Sequence, residues 1–518
     1  MTSLHRLREK YILLVLVFVC TLLLTGLYWN LRTHIYFDDG FEFAQIGRNI
    51  IEGKGISINS YPLPGLLILQ ENNLLDYPWP VLHKSPFMGI AMSVAMSIFG
   101  TYDWVISLSS SFFYILLIPV VYIFARRVLE FDIPSSIVST LVIMTNGILA
   151  EGAIFGMSEP AAVFFFLTFL FFVRKKQHQY AYYLAGIIAG LAYLNRIESL
   201  IWIIIIVGLL FFRKFPKKDL QKLIMSFLVI VLPYWIYNFS KTGNPFFSLQ
   251  SFIVLVVGTS SFTYYPYAES LYINPIIFIQ THFFEVLIKW IRNAWNFFWS
   301  FPQQLGMPLS LVFFIAWVFK KGDKKENFIK AYVIVSFFTL AGILFFMIPE
   351  IRFFAIFVPF IGYFGTFYFR TYIKPLSTTR IYYGLVIVYI LINSIGLAVF
   401  VHETKNQTAY RYSEEEFIAI QKHFDEKAVI ASNIWRGVGW YGKRKSVSLP
   451  KNIGDVNNVS NQYVEIDGIF LESSDLYHWL PVWDLGWRDI EKEAPLKIED
   501  YVLVEKFPSG SLLYKKYK

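Results

Sequence analysis

Apolar stretches long enough to form helices inside a bilayer recur along this chain from Tyr11 to Val401, with short basic clusters between them. A hydrocarbon core about 30 Å thick takes roughly 20 helical residues to cross, and the backbone inside it must pair within its own segment. Runs of about 15–22 apolar residues therefore predict a polytopic α-helical membrane protein. Composition agrees, since 56% of the 518 residues are hydrophobic and only 16% charged, too few to clothe a soluble protein of this length. Beyond His402 the character changes and a polar tail runs to Lys518.

The net charge of +9 does not point to nucleic acid, because the basic residues sit between apolar runs, where they hold loops in the cytoplasm. Arg6/Arg8/Lys10, Arg126/Arg127, Arg174/Lys175/Lys176, Arg213/Lys214/Lys217/Lys218, Lys320/Lys321/Lys324/Lys325 and Arg370/Lys374/Arg380 supply the fixed points. Tyr11–Tyr28 lacks a small-x-small cleavage site after it and reads as a retained signal anchor with a cytoplasmic N-terminus. Crossings at 11–28, 104–125, 134–150, 158–173, 180–195, 198–212, 221–239, 305–319, 328–348, 353–369 and 381–401 satisfy every cluster, about eleven transmembrane helices in all. Two further runs read as juxtamembrane helices. Pro86–Phe99 is too short to cross, and Phe284–Phe301, with Lys289, Arg292 and several large aromatics, has the make-up of a helix lying in the interface.

An odd number of crossings puts the tail outside. The chain thus divides into a transmembrane domain, residues 1–403, and a small extracytoplasmic C-terminal domain, residues 404–518. In that tail a helical stretch, Glu414–Phe424, and apolar strands such as Ala428–Ala431 and Tyr501–Val504 suggest an α/β or α+β fold. The single cysteine, Cys20, leaves no intrachain disulfide and no Cys-based zinc site.

Charges near the membrane but outside the cytoplasmic clusters are costly and mark candidate sites. Under this topology they gather on the external face: Asp38, Asp39 and Glu42 after the first span; His83 and Lys84; Glu151, Ser158 and Glu159; Asn195, Arg196 and Glu198; Glu350 and Arg352. Carboxylates beside several cations suit a base working next to a bound phosphate. Each has a plainer explanation: Ser158 and Glu159 open a helix, Arg196 pairs with Glu198, Glu350 with Arg352, and Glu42 is a surface-helix charge. His83 and His282 lack a short ligand spacing, so no metal is assigned, although the carboxylates are compatible with a divalent cation. Walker A, G-x-G-x-x-G, G-x-S-x-G and H-E-x-x-H motifs are missing, which removes the support for ATP-driven transport.

Asp38-Asp39-Gly40-Phe41-Glu42-Phe43, with Gly47 to Gly55 after it, resembles the first-loop signature of GT-C glycosyltransferases of the protein-O-mannosyltransferase and aminoarabinose-transferase type. His83-Lys84-Ser85-Pro86-Phe87 resembles that family's basic-Pro segment. Met157-Ser158-Glu159-Pro160, Leu194-Asn195-Arg196-Ile197-Glu198 and Pro349-Glu350-Ile351-Arg352-Phe353 are similar to its later loop motifs, in the same order, and the tail from Trp435 to Pro450 looks like the extracytoplasmic domain many members carry.

The resemblance implies transfer of a sugar, a pentose or a mannose-like hexose, from a polyprenyl-phosphate (dolichyl-type) donor to a lipid, glycan or protein acceptor outside the cytoplasm, with inversion. It implies Asp38 as the catalytic base and Asp39, His83, Lys84, Glu159, Arg196, Glu198 and Arg352 as substrate- or donor-binding residues. Two positions depart from the family. Asp39 stands where many members have Glu, and His83 where the aminoarabinose enzymes are acidic. A transporter or flippase for polyprenyl-linked glycans, its pathway lined by the same charges, is the alternative.

Overall fold

The computed structural model describes residues 3–31, 38–76, 78–174, 180–212, 216–259, 274–321, 324–347, 350–376, 378–407, 414–473 and 485–517. Among the described residues, each expected crossing falls on one helix or on two in succession. Among the described residues, five helical segments are long and apolar enough to span alone: Leu7–Leu31, Asp103–Arg127, Lys217–Thr242, Ile351–Ile373 and Thr379–Asn406. A sixth arises if Ile133–Met144 and Gly147–Ile154, bent by 55°, form one broken span. The chain is thus a multi-pass α-helical membrane protein.

The other expected crossings fall on helices such as Ala181–Asn195, Ser199–Phe212 and Pro308–Phe319. At 1.5 Å per residue, a helix of this size rises only about 18–23 Å, and for this reason length alone does not count it as a span. The bend in the broken pair has a local cause. Asn146 accepts a hydrogen bond from Leu149 N at 3.2 Å and so starts a new helix, while its amide donates to Leu305 O at 2.9 Å.

Of the two juxtamembrane helices, Phe283–Leu305 exposes Phe284, Ile288, Trp295 and Trp299 along one face and buries Val286, Lys289, Phe297 and Phe301 on the other. This is the amphipathic pattern of a helix lying along a bilayer surface. Phe87–Phe99 packs against the helix Asp38–Ile51. Their crossing is close: a Cβ on Gly89 would lie 2.4 Å from Ile46 Cγ2, and one on Gly47 would lie 3.1 Å from Gly89 O.

Among the described residues, six strands of the tail and one from outside it form a mixed seven-stranded sheet with helices around it. Lys445–Ser448, Val429–Ser432 and Gly468–Leu471 run parallel, whereas Leu512–Lys516, Tyr501–Lys506 and Lys497–Ile498 continue the sheet antiparallel. Val429–Ser432 and Gly468–Leu471 are buried throughout, as strands covered on both faces must be. The sheet's first strand is Ser60–Tyr61, from the loop after the first span, paired in parallel with Ser446 and Val447. The acidic helix Asp38–Ile51 thus lies between the Phe87–Phe99 helix and the tail.

Candidate functional site

Asp38 opens the Asp38–Ile51 helix, and its side chain lies outside the described residues. Asp39 follows in the first turn and meets two cations. Lys84 Nζ stands 2.5 Å from its Oδ1 and Arg352 Nη1 2.7 Å from its Oδ2. Burial raises the Asp39 carboxyl, but Arg352 and then Lys84 more than offset this and hold it well below the usual carboxylate range. Arg352 also pairs with Glu350 through Nε.

One turn further along, Glu42 is 1% exposed. Arg436 Nε donates to its Oε1 at 2.6 Å, His83 Nε2 lies 3.3 Å from the same oxygen, and Lys84 Nζ lies 3.1 Å from Oε2. Burial again works against ionisation, and Arg436, Lys84 and His83 overcome it, so Glu42 is held well below the carboxylate range. Lys84 is the mirror case: burial draws it down, but Asp39 and Glu42 carry it above an ordinary lysine. His83 also meets the ring of Tyr61 edge-on, with centroids 5.2 Å apart.

A second group adjoins the first. Arg196 donates from Nη1 to Glu159 Oε1 at 2.7 Å and from Nε to Glu198 Oε1 at 2.5 Å, and its Nη1 is 3.3 Å from Ser158 Oγ. Asn195 Nδ2 donates to Ser158 O at 3.1 Å. The ring of Phe353 joins the two groups, with the Arg196 guanidinium 4.9 Å and the Arg352 guanidinium 5.5 Å from its centroid. The short pairs Arg196–Glu198 and Glu350–Arg352 therefore exist, but each arginine also reaches a carboxylate on a distant segment. Asp39, His83, Lys84, Glu159, Arg196, Glu198 and Arg352 stand in one connected network.

His282 takes no part in those contacts; its ring stacks on Phe278 with centroids 4.4 Å apart. Among the described residues no three His, Cys, Asp or Glu side chains gather as metal ligands would.

Sequence reading left Glu42 as a surface charge and did not single out Gln45, Arg48 or Arg436. Gln45 Nε2 donates to Arg436 O at 2.9 Å, and Arg48 donates to Trp440 O at 2.7 Å and Gly439 O at 2.6 Å. A signal was present. Asp39, Glu42, Gln45 and Arg48 recur every three residues, which makes each a neighbour of the next along a ridge that winds around a helix.

Residues 83–237 match the family of dolichyl-phosphate-mannose-protein mannosyltransferases. No curated protein matches the sequence. Among solved structures, the chain superposes on ArnT from Cupriavidus metallidurans in the apo state with a TM-score of 0.57 at 12% identity, over 97% of each chain. The same protein bound to undecaprenyl phosphate gives 0.54 at 12%, over 99% of this chain and 98% of the other. The Archaeoglobus fulgidus oligosaccharyltransferase, in complex with Zn and sulfate, gives 0.52 at 13%, over 97% of this chain and 73% of the other. The chain has the GT-C fold. In this chain the network around Asp39 joins residues from the segment after the first span, from three later segments at Glu159, Arg196–Glu198 and Glu350–Arg352, and from the tail.

Proposed function

We propose that this protein is an inverting glycosyltransferase that moves a sugar from a polyprenyl-phosphate donor to an acceptor on the extracytoplasmic face of the membrane. The observation that carries this reading is the convergence of Lys84 and Arg352 on Asp39, one residue after Asp38, with Arg196 across the Phe353 ring. Cations held this way suit a phosphate that gains charge as it leaves. The match of residues 83–237 and the shared fold support the same reading.

In this mechanism Asp38 takes the proton of the acceptor hydroxyl while that oxygen attacks the anomeric carbon from the face opposite the phosphate. The bond to phosphate breaks, and the leaving oxygen is met by Lys84 and Arg352. A phosphate needs no acid near neutral pH, so one base and these cations suffice. Asp39 orients both cations, while Glu159 and Glu198 orient Arg196 toward the bound sugar or phosphate. His83 stands against Glu42, beside Lys84. Asp39 and Glu42 are both engaged by cations of the chain itself.

The reading takes in eleven crossings, a cytoplasmic N-terminus, and a catalytic domain of residues 1–403 followed by an extracytoplasmic domain of residues 404–518. The sugar is a pentose or a mannose-like hexose, and the acceptor a lipid, glycan or protein. Purified protein incubated with radiolabelled polyprenyl-phosphate sugars and membrane extract tests it. Label moving onto an acceptor supports a transferase; label that only crosses the bilayer of proteoliposomes identifies a flippase instead.

A further inference from the structure

The tail does more than rest on the helices. Its short helix Trp435–Trp440 is bolted to the acidic helix by Gln45 and Arg48, and Trp440 Nε1 and Tyr441 Oη donate to Asp103 at 3.0 and 2.6 Å, at the start of the Asp103–Arg127 helix. The fit is tight, since a Cβ on Gly439 would lie 2.7 Å from Gln45 Oε1. From this clamp Arg436, itself buried and 4.2 Å from the Trp435 ring centroid, reaches Glu42.

We propose that Arg436 is a positioning residue which neutralises Glu42 and so leaves Lys84 available to the donor's phosphate. A buried carboxylate must be paired, and Glu42 has two nearby full cations, Arg436 on Oε1 and Lys84 beside Oε2. Lys84 also serves Asp39. Without Arg436 the whole charge of Glu42 falls to Lys84, which Asp39 and Glu42 then hold more tightly and turn from an incoming anion. With Arg436 in place the count around Lys84 balances: Asp39, Glu42 and Glu350 face Lys84, Arg352 and Arg436. The C-terminal domain is therefore part of the donor site, acting through Glu42.

This inference rests on the transferase reading for its substrate, but its first test does not need turnover. Binding of undecaprenyl phosphate by the full-length protein in detergent is measured for wild type, Arg436→Gln and the pair Glu42→Gln/Arg436→Gln, alongside KM and kcat for a labelled donor. Arg436→Gln should weaken lipid-phosphate binding and raise donor KM by about tenfold or more, with kcat within about threefold. The double variant, which leaves no buried charge alone, should recover binding to within about threefold of wild type. Wild-type binding by Arg436→Gln, or a double variant as weak as the single one, overturns the proposal, since a purely structural clamp loses as much in both. Should Arg436→Gln fail to fold, the double variant decides alone: binding near wild type supports the proposal, and a tenfold loss overturns it. Wild-type protein that binds the lipid phosphate yet transfers no sugar contradicts the transferase reading and leaves the binding comparison intact.

Discussion

Asp39 is held ionised by Arg352 and Lys84 together, and Glu42 by Arg436, Lys84 and His83, each against the cost of burial. A carboxylate whose folded value is depressed contributes stability that is complete above its unfolded value, about 4, and is lost only as the pH falls through the lower folded value. Lys84, raised in the fold, contributes fully below its unfolded value near 10.4. All three therefore keep their charge between pH 5 and 8. The difference in thermal midpoint between wild type and Asp39→Asn should stay constant from pH 8 to 5 and shrink below about pH 4; a difference that stays flat below pH 4 would show that Asp39 titrates normally. Arg352→Met leaves Asp39 with Lys84 alone and should cost about 1–3 kcal/mol of stability, read from unfolding in detergent, together with weaker donor use. At this scale the sequence reading found Lys84, Arg196 and Arg352 and the partners close to the two arginines in the chain, but neither Arg436 nor the distant partners. Arg196 and Glu198 are neighbours in the chain, whereas the Arg196–Glu159 and Arg352–Asp39 pairs join segments whose proximity only the folded bundle creates.

The acidic helix depends on a close crossing. Because Gly89 sits against Ile46 and Gly47 against the Gly89 carbonyl, Gly89→Ala should overpack the crossing and cost about 1–3 kcal/mol, whereas an alanine at Gly208, which has nothing within 4 Å of the added carbon, should be close to neutral. The Phe283–Leu305 helix is fastened differently. Lys289 Nζ donates to Val254 O and Leu255 O, both at 2.8 Å, at the end of the Leu249–Val256 helix, and burial with Arg292 beside it pulls the amine down to about 7. Between that value and about 10.4 the unfolded chain holds the extra proton, so this amine makes stability rise with pH. The midpoint of wild type relative to Lys289→Met should accordingly climb from pH 7 to 9. Long apolar runs made the helices legible, and a charged amphipathic run marked the interfacial one. Ser60–Tyr61, a strand of two residues, has no periodicity to detect, and its partner strand lies in the tail, at Lys445–Ser448.

Across the whole molecule, basic clusters and hydropathy revealed a multi-pass helical protein with a folded tail. They could not fix the number of crossings by length, because several helices fall short of a bilayer's thickness and one apolar pair of helices is bent at Asn146. Topology has its own test. Cys20 is fully buried, so single cysteines placed at Glu415 and at Lys218 report without background. In intact cells an impermeant maleimide should label the first and not the second; the reverse would contradict an external tail. Joining the C-terminal domain to the acidic helix through Arg436, Gln45 and Arg48 is what the linear sequence concealed, since those bonds connect residues about 390 positions apart. The claim that ties residue, helix and domain together is that the Asp38–Asp39 turn is where sugar moves from lipid phosphate to acceptor. Transfer of radiolabelled sugar from a polyprenyl-phosphate donor, compared between wild type and a folded Asp38→Asn variant, tests it most directly. Wild type should label an acceptor and the variant should fall by about 10²-fold or more, while equal transfer by both, or label that never leaves the lipid in wild type, would contradict it.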